Sequence, residues 1–166
     1  DQAVPVYIAA RHIEAPRRLF VCTTRSRPVA DRVAEALAEG PDRSRTVVID
    51  PFDVPAIIDK LEEDEWLKSA RDPVFDLTGG TKLMWAAGHR RWTDVGRGRA
   101  VYVETAQRRL YFLDTFETAP LQPIMTIKAF LDLSGLAYKK GTPAGQQIPR
   151  DPALRETLWD LRWVLG

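Results

Sequence analysis

The chain has 166 residues, 45% apolar and 28% charged, which is the balance of a folded domain with material for one core and excludes disorder as the expectation. Its formal charge is +1, so no overall field draws it to DNA, RNA or an anionic membrane, and any anion it binds must be held locally. No window approaches about eighteen uninterrupted apolar residues and no basic-then-apolar leader is present, so neither a membrane span nor secretion is expected.

Residues Val4 to Ile13 (VPVYIAARHI) form an apolar run too short for periodicity to choose between helix and strand. Leu19 to Thr23 (LFVCT) reads as a strand buried on both faces. A helix follows, with Pro28 suited to its first turn, Val29, Val33, Ala36 and Leu37 on one face, and Gly40 as its stop. The unit repeats as a strand at Arg45 to Asp50 and a helix from Asp53 to Ala70, capped by Asp53 and acidic on its outer face at Glu62 to Glu65. It repeats again as a strand at Pro73 to Thr78 and a helix ending near Gly96. Three strand-helix units predict a Rossmann-like α/β fold, mainly a parallel sheet with helices on both faces.

The pattern then changes to two alternating strands around Ala106 and Gln107, a β-hairpin at one end of the sheet. Residues Met125 to Gly135 read as a short helix capped by Thr126 and stopped by Gly135. The chain is thus divided into a folded domain at 1–135 and a tail at 136–166. In that tail Lys139 to Pro149 has linker chemistry, and Leu154, Leu158, Leu161 and Leu165 stripe a final amphipathic helix suited to a partner or a second copy.

Few chemical signatures are present. The lone Cys22 cannot form an internal disulfide and reads as a buried strand residue in a reducing compartment. The paired basic residues are scattered and read as surface. His12 and His89 have no metal-binding spacing, and His89 reads as helix surface, so no metal or cofactor is expected. Neither phosphate-loop nor dinucleotide fingerprint is present, nor a hydrolase nucleophile elbow.

One turn carries more. In open parallel sheets ligands sit beyond the carboxyl ends of the strands, and Thr78, Gly79, Gly80, Thr81 and Lys82 lie at such an end, between the third strand and its helix. Adjacent glycines admit the backbone close to a ligand and permit positive φ, so that successive N–H groups converge on an anion. The helix start adds unpaired donors and a positive dipole end, the threonines add hydroxyls, and Lys82 adds a charge. A cation is disfavoured at a helix N-terminus, and a bound anion removes that conflict. The competing reading is a plain turn and cap. Thr23, Thr24, Arg25 and Ser26 offer hydroxyls and a guanidinium after the first strand, and line the same crevice if strands one and three are neighbours. Capping of the Pro28 helix by Thr24 or Ser26 stands as the alternative.

The run DLTGGTKLM (Asp76 to Met84), together with LFVCTTRSRPVADRVAEAL (Leu19 to Leu37), resembles the CARF domain, the CRISPR-associated Rossmann fold that heads ancillary effectors of type III systems. The likeness runs from about Gln2 to Gly135. It implies a cytoplasmic homodimer that holds one cyclic oligoadenylate, most often cyclic tetra-adenylate, across its two-fold axis. By the same resemblance Thr78, Gly79, Gly80, Thr81 and Lys82 hold phosphates and riboses, and Thr23, Thr24, Arg25 and Ser26 reach adenine or ribose. Such sensors control an effector, commonly a nuclease or a membrane segment, which would tether the protein at the cytoplasmic face. None is visible after Gly135, and a chain that opens at Asp1 without methionine suggests a piece of a longer protein.

Two other functions compete. Some CARF domains are ring nucleases, in which a ribose 2′-OH attacks the neighbouring phosphate; Lys82 and Thr81 could stabilise the charge that develops. No histidine adjoins either loop in sequence, which favours binding without catalysis. A nucleic-acid-binding regulator is disfavoured by the near-neutral charge and by the lack of a basic recognition helix.

Overall fold

A computed structural model of the chain describes residues 3–92, 98–122 and 125–136, with the backbone alone at 91–92. The elements are α1 (Ala3–His12), β1 (Arg18–Cys22), α2 (Arg27–Ala36), β2 (Ser44–Val48), α3 (Val54–Glu63), α4 (Glu65–Ser69), β3 (Val74–Asp76), α5 (Lys82–Trp92), β4 (Arg99–Glu104), β5 (Arg109–Phe112), β6 (Thr118–Pro120) and α6 (Ile127–Leu133). The linker at Lys139 to Pro149 and the leucine-striped helix lie outside the described residues.

The ambiguous first run is a helix. Ala3, Tyr7 and Ile8 fall at helical spacing and are buried with Ala9, which a strand of this composition would divide between two faces. The expected strand-helix alternation follows. β1 pairs with β2 in parallel, from Arg18 opposite Ser44 to Cys22 opposite Val48, and β3 pairs in parallel with β4. The hairpin is β4 with β5, closed by Glu104 opposite Arg109, and Thr118–Pro120 adds an antiparallel edge strand that the sequence did not announce. Its Pro120 falls at the strand end on an edge, where a missing donor is tolerated.

Helices cover both faces, and the side chains of the strands say which. Along β1, Phe20 joins a core formed with α1, α2, β4, β5 and α6, whereas Leu19 and Val21 join a second core with α3 and α5. Val74 and Phe75 of β3 divide the same way. This is the Rossmann-like α/β arrangement, with one departure: no backbone ladder joins β1 to β3 among the described residues, so the strands form a two-stranded and a four-stranded ribbon. Leu110 and Leu133 are almost fully buried in the first core and Ile57 in the second, each stabilising the fold by roughly 1.5–3 kcal/mol.

The helix expected over 53–70 is two helices. Its start is as expected, with the Asp53 carboxylate accepting from the Ala56 amide at 3.0 Å. At Asp64 the backbone turns extended, and the Asp64 carboxylate caps α4 by accepting from the Trp66 and Leu67 amides at 2.9 and 3.2 Å. Asp64 is therefore not part of an acidic outer face: it is buried and ion-paired with Arg45 of β2, whose guanidinium also lies over the Trp66 ring at 4.8 Å. A charge at this depth needs a partner, and only the neighbouring strand supplies one. Arg18, at the start of β1, is paired with Glu39 and donates to the Ala10 and Ile13 carbonyls at 2.7 and 3.1 Å, closing the C-terminal end of α1.

Candidate functional site

The Thr78–Lys82 turn is positioned by a pin at its base. Asp76, the last residue of β3, accepts from the Thr78 amide at 3.0 Å and from the Thr78 hydroxyl at 2.5 Å. The same hydroxyl accepts from the Val103 amide of β4 at 2.8 Å. Its single proton and an acceptor site are thus both committed to the protein. Burial pushes the Asp76 carboxyl up to about 6, against the lowering effect of the two Thr78 hydrogen bonds.

Beyond the pin the backbone changes hand. Gly80 has φ of +88°, and a Cβ there would lie 3.3 Å from the Met84 Cε, so the position combines a left-handed backbone with close approach of a side chain. Thr81 then caps α5: its hydroxyl accepts from the Met84 amide at 3.3 Å, and its carbonyl accepts from the Trp85 amide at 2.9 Å. The Thr81 amide itself donates to the Met84 sulfur at 3.5 Å. The amides of Gly79, Gly80, Lys82 and Leu83 donate to no protein group among the described residues. Lys82 is the first helical residue and its side chain is exposed. Open donors, a helix N-terminus and a cation therefore meet at one place, as an anion requires.

A concavity of about 520 Å³ opens over this turn, walled by Leu77, Gly79, Gly80, Thr81, Lys82, Trp85 and Ala86. Trp85 and Asp76 are the two residues that the sequence reading passed over. Trp85 stands three positions after Lys82, the spacing that puts two side chains on one helix face, and that spacing was the available signal. The local sequence carried no sign that Asp76 would be half-buried beneath the turn with its carboxyl pushed up. His89, expected on the helix surface, is half-buried and stacks on the Trp85 ring at a centroid distance of 4.8 Å and an interplanar angle of 15°.

The turn after β1 is built differently. Thr23 and Ser26 form a reciprocal cap: the Ser26 amide donates to the Thr23 hydroxyl at 3.1 Å, and the Thr23 amide donates to the Ser26 hydroxyl at 3.0 Å. The two hydroxyls also share a hydrogen bond at 3.1 Å. Thr24 and Arg25 are exposed, and none of the four residues walls the concavity over Gly79 to Ala86. Strands one and three, expected as neighbours, share no backbone ladder among the described residues.

Among the described residues no group of three histidine, cysteine or acidic side chains is placed to hold a metal, and no helix is long and apolar enough to cross a membrane.

No family model and no curated relative matches the chain. Among solved structures it is similar to Can2 from Sulfobacillus thermosulfidooxidans in complex with cyclic tetra-adenylate, with a TM-score of 0.70, 21% identity, and 80% of this chain and 38% of that one covered. It is also similar to protein VC1899 from Vibrio cholerae, with a TM-score of 0.64, 15% identity, and 81% and 37% covered. At these identities the likeness is one of fold, and it bears out the Rossmann-like α/β fold expected from the strand-helix alternation. The chain spans 38% and 37% of the length of these two proteins.

Proposed function

We propose that the chain is the sensing part of a type III CRISPR effector that binds a cyclic oligoadenylate, most simply cyclic tetra-adenylate, between two copies of itself. The observation that carries this reading is the set of open amides at Gly79, Gly80, Lys82 and Leu83 beside the Lys82 side chain. A likeness of fold to Can2, whose structure holds that ligand, supports it. A ring of four adenylates has four phosphates and two-fold symmetry, so a symmetric pair of cradles meets it with matching charge, each Lys82 answering phosphates at a helix start.

Gly79, Gly80, Thr81 and Lys82 contact the phosphates directly in this proposal. Thr78 holds the turn to β4, its hydroxyl turning to a ribose only at the cost of that pin. Thr24 and Arg25 meet the ring from the neighbouring turn, and Thr23 and Ser26 hold that turn in shape. Ligand binding is coupled to an effector, a nuclease or a membrane segment, in the rest of a longer cytoplasmic protein. The coupling comes from contacts that differ between the empty and bound pair.

Calorimetry with cyclic tetra-adenylate, combined with sedimentation and chromatography of the recovered ring, tests the proposal. The expected result is submicromolar binding of one intact ring by two copies. Lys82→Ala weakens it by about 10- to 100-fold, while the empty protein becomes more stable by roughly 0.3–1 kcal/mol because a cation leaves a helix N-terminus. Absence of binding, or parental affinity in Lys82→Ala, overturns it. Recovery of linear products replaces the sensor with a ring nuclease.

A further inference from the structure

We propose that Trp85 is the platform on which an adenine of the bound ring stacks, which places nucleobase recognition on α5 beside the phosphate cradle. The assignment rests on the sensor reading above and deepens it.

Indoles are seldom left open to water without a use, because so much apolar surface is costly to hydrate. Trp85 is 39% exposed, yet it stands in the wall of the concavity that also contains Gly79, Gly80 and Lys82. It is not loose there. Its amide donates to the Thr81 carbonyl in the first turn of α5, and its ring lies nearly parallel to the imidazole of His89, one turn further along. With the imidazole over one face, the opposite face and the rim are left to supply the exposure.

A held, flat aromatic surface next to open phosphate donors is the combination that binds nucleotides by stacking, since every base offers a π-face and its phosphate lies a few ångströms away. Lys82 and Trp85, three residues apart on one helix, divide the work between backbone and base. The turn after β1 offers no such surface: its exposed residues are a threonine and an arginine, and neither walls the cavity. Stacking strength grows with ring size, so the platform favours a purine ring over a pyrimidine one.

The test measures binding of cyclic tetra-adenylate and of a cyclic tetra-uridylate with the same four phosphates, to the parent, Trp85→Ala and Trp85→Phe. Intrinsic tryptophan fluorescence is followed in each. The parent is expected to prefer the adenine ring. Trp85→Ala is expected to weaken that ring by about 10- to 100-fold and the uracil ring far less, with Trp85→Phe recovering much of the loss. The share of the fluorescence quench that Trp85 contributes is lost in both variants, so the quench shrinks although four tryptophans remain. Should Trp85→Ala not fold, the quench and the adenine preference of Trp85→Phe decide the matter.

An equal loss for both rings, parental affinity in Trp85→Ala, or an undiminished quench in Trp85→Phe overturns the assignment. So does a ligand-free Trp85→Ala whose sedimentation differs from the parent, because the indole would then belong to a contact between copies. A parent that binds neither ring sinks the sensor reading first, whereas a parent that binds while Trp85→Ala is unchanged sinks only this one.

Discussion

Two strand-end turns in this molecule have similar ingredients and different outcomes. Thr23 to Ser26 and Thr78 to Lys82 each follow a strand, open a helix and contain a basic residue, with three hydroxyls in the first and two in the second. In the first turn the hydroxyls and amides of Thr23 and Ser26 satisfy one another, and only the Thr24 and Arg25 amides donate to no protein group among the described residues. In the second, Thr78 is drawn down to Asp76 and Val103, and Gly80 reverses the backbone, so that neighbouring amides remain open above. Composition marks both turns as anion sites; the reversed backbone at Gly80 and the four open amides around it set the second apart.

The largest effect that would break the comparison belongs to Gly80. Valine cannot hold φ of +88° without strain and meets Met84, so Gly80→Val is expected to flatten the second turn and weaken cyclic tetra-adenylate binding more than about 100-fold, measured by calorimetry. Retained affinity would show that the reversed backbone is not what gathers the amides.

Next in size is a pH dependence that the first turn lacks. The Asp76 carboxyl lies above its ordinary range when folded. Below about pH 4 it is protonated in both folded and unfolded chains. As pH rises the unfolded carboxyl ionises first, so its contribution to stability is lost on the way up through about 6. Asp76→Asn keeps an acceptor for Thr78 and removes the titration. The stability of the parent relative to Asp76→Asn, from urea unfolding, is expected to fall by about 2–3 kcal/mol between pH 4 and 7. A flat difference would mean that the pin carries no buried charge.

The smallest effect sharpens the contrast from the other side. Thr23→Ala removes one half of the reciprocal cap and is expected to cost about 1 kcal/mol in thermal unfolding, with the affinity for the ring changed less than about threefold. A large loss of affinity with unchanged stability would move Thr23 from shaping the turn to direct ligand contact.

Much of the fold was legible because it is local. The strand-helix alternation, the caps at Asp53 and Thr126, the stop at Gly135 and the β4–β5 hairpin all depend on residues within a few positions of one another. The same holds for the glycine pair and the helix start that mark the cradle. What escaped was long-range. The break at Asp64 depends on Arg45 of a neighbouring strand, and β6 exists because β5 offers an open edge. The division of the strands into two ribbons depends on how the two cores pack.

The sequence by itself determined the α/β class and the turn with the composition of a phosphate site, since backbone conformation and helix starts answer to nearest neighbours. Only the tertiary structure decided that Thr78 is pinned to Val103, twenty-five residues away, that Asp76 is half-buried beneath it, and that Trp85 stands in the wall above. Hydrogen-bond partners and burial are fixed by elements that meet in space, and no local pattern encodes which hydroxyl of a turn will be drawn into a neighbouring strand.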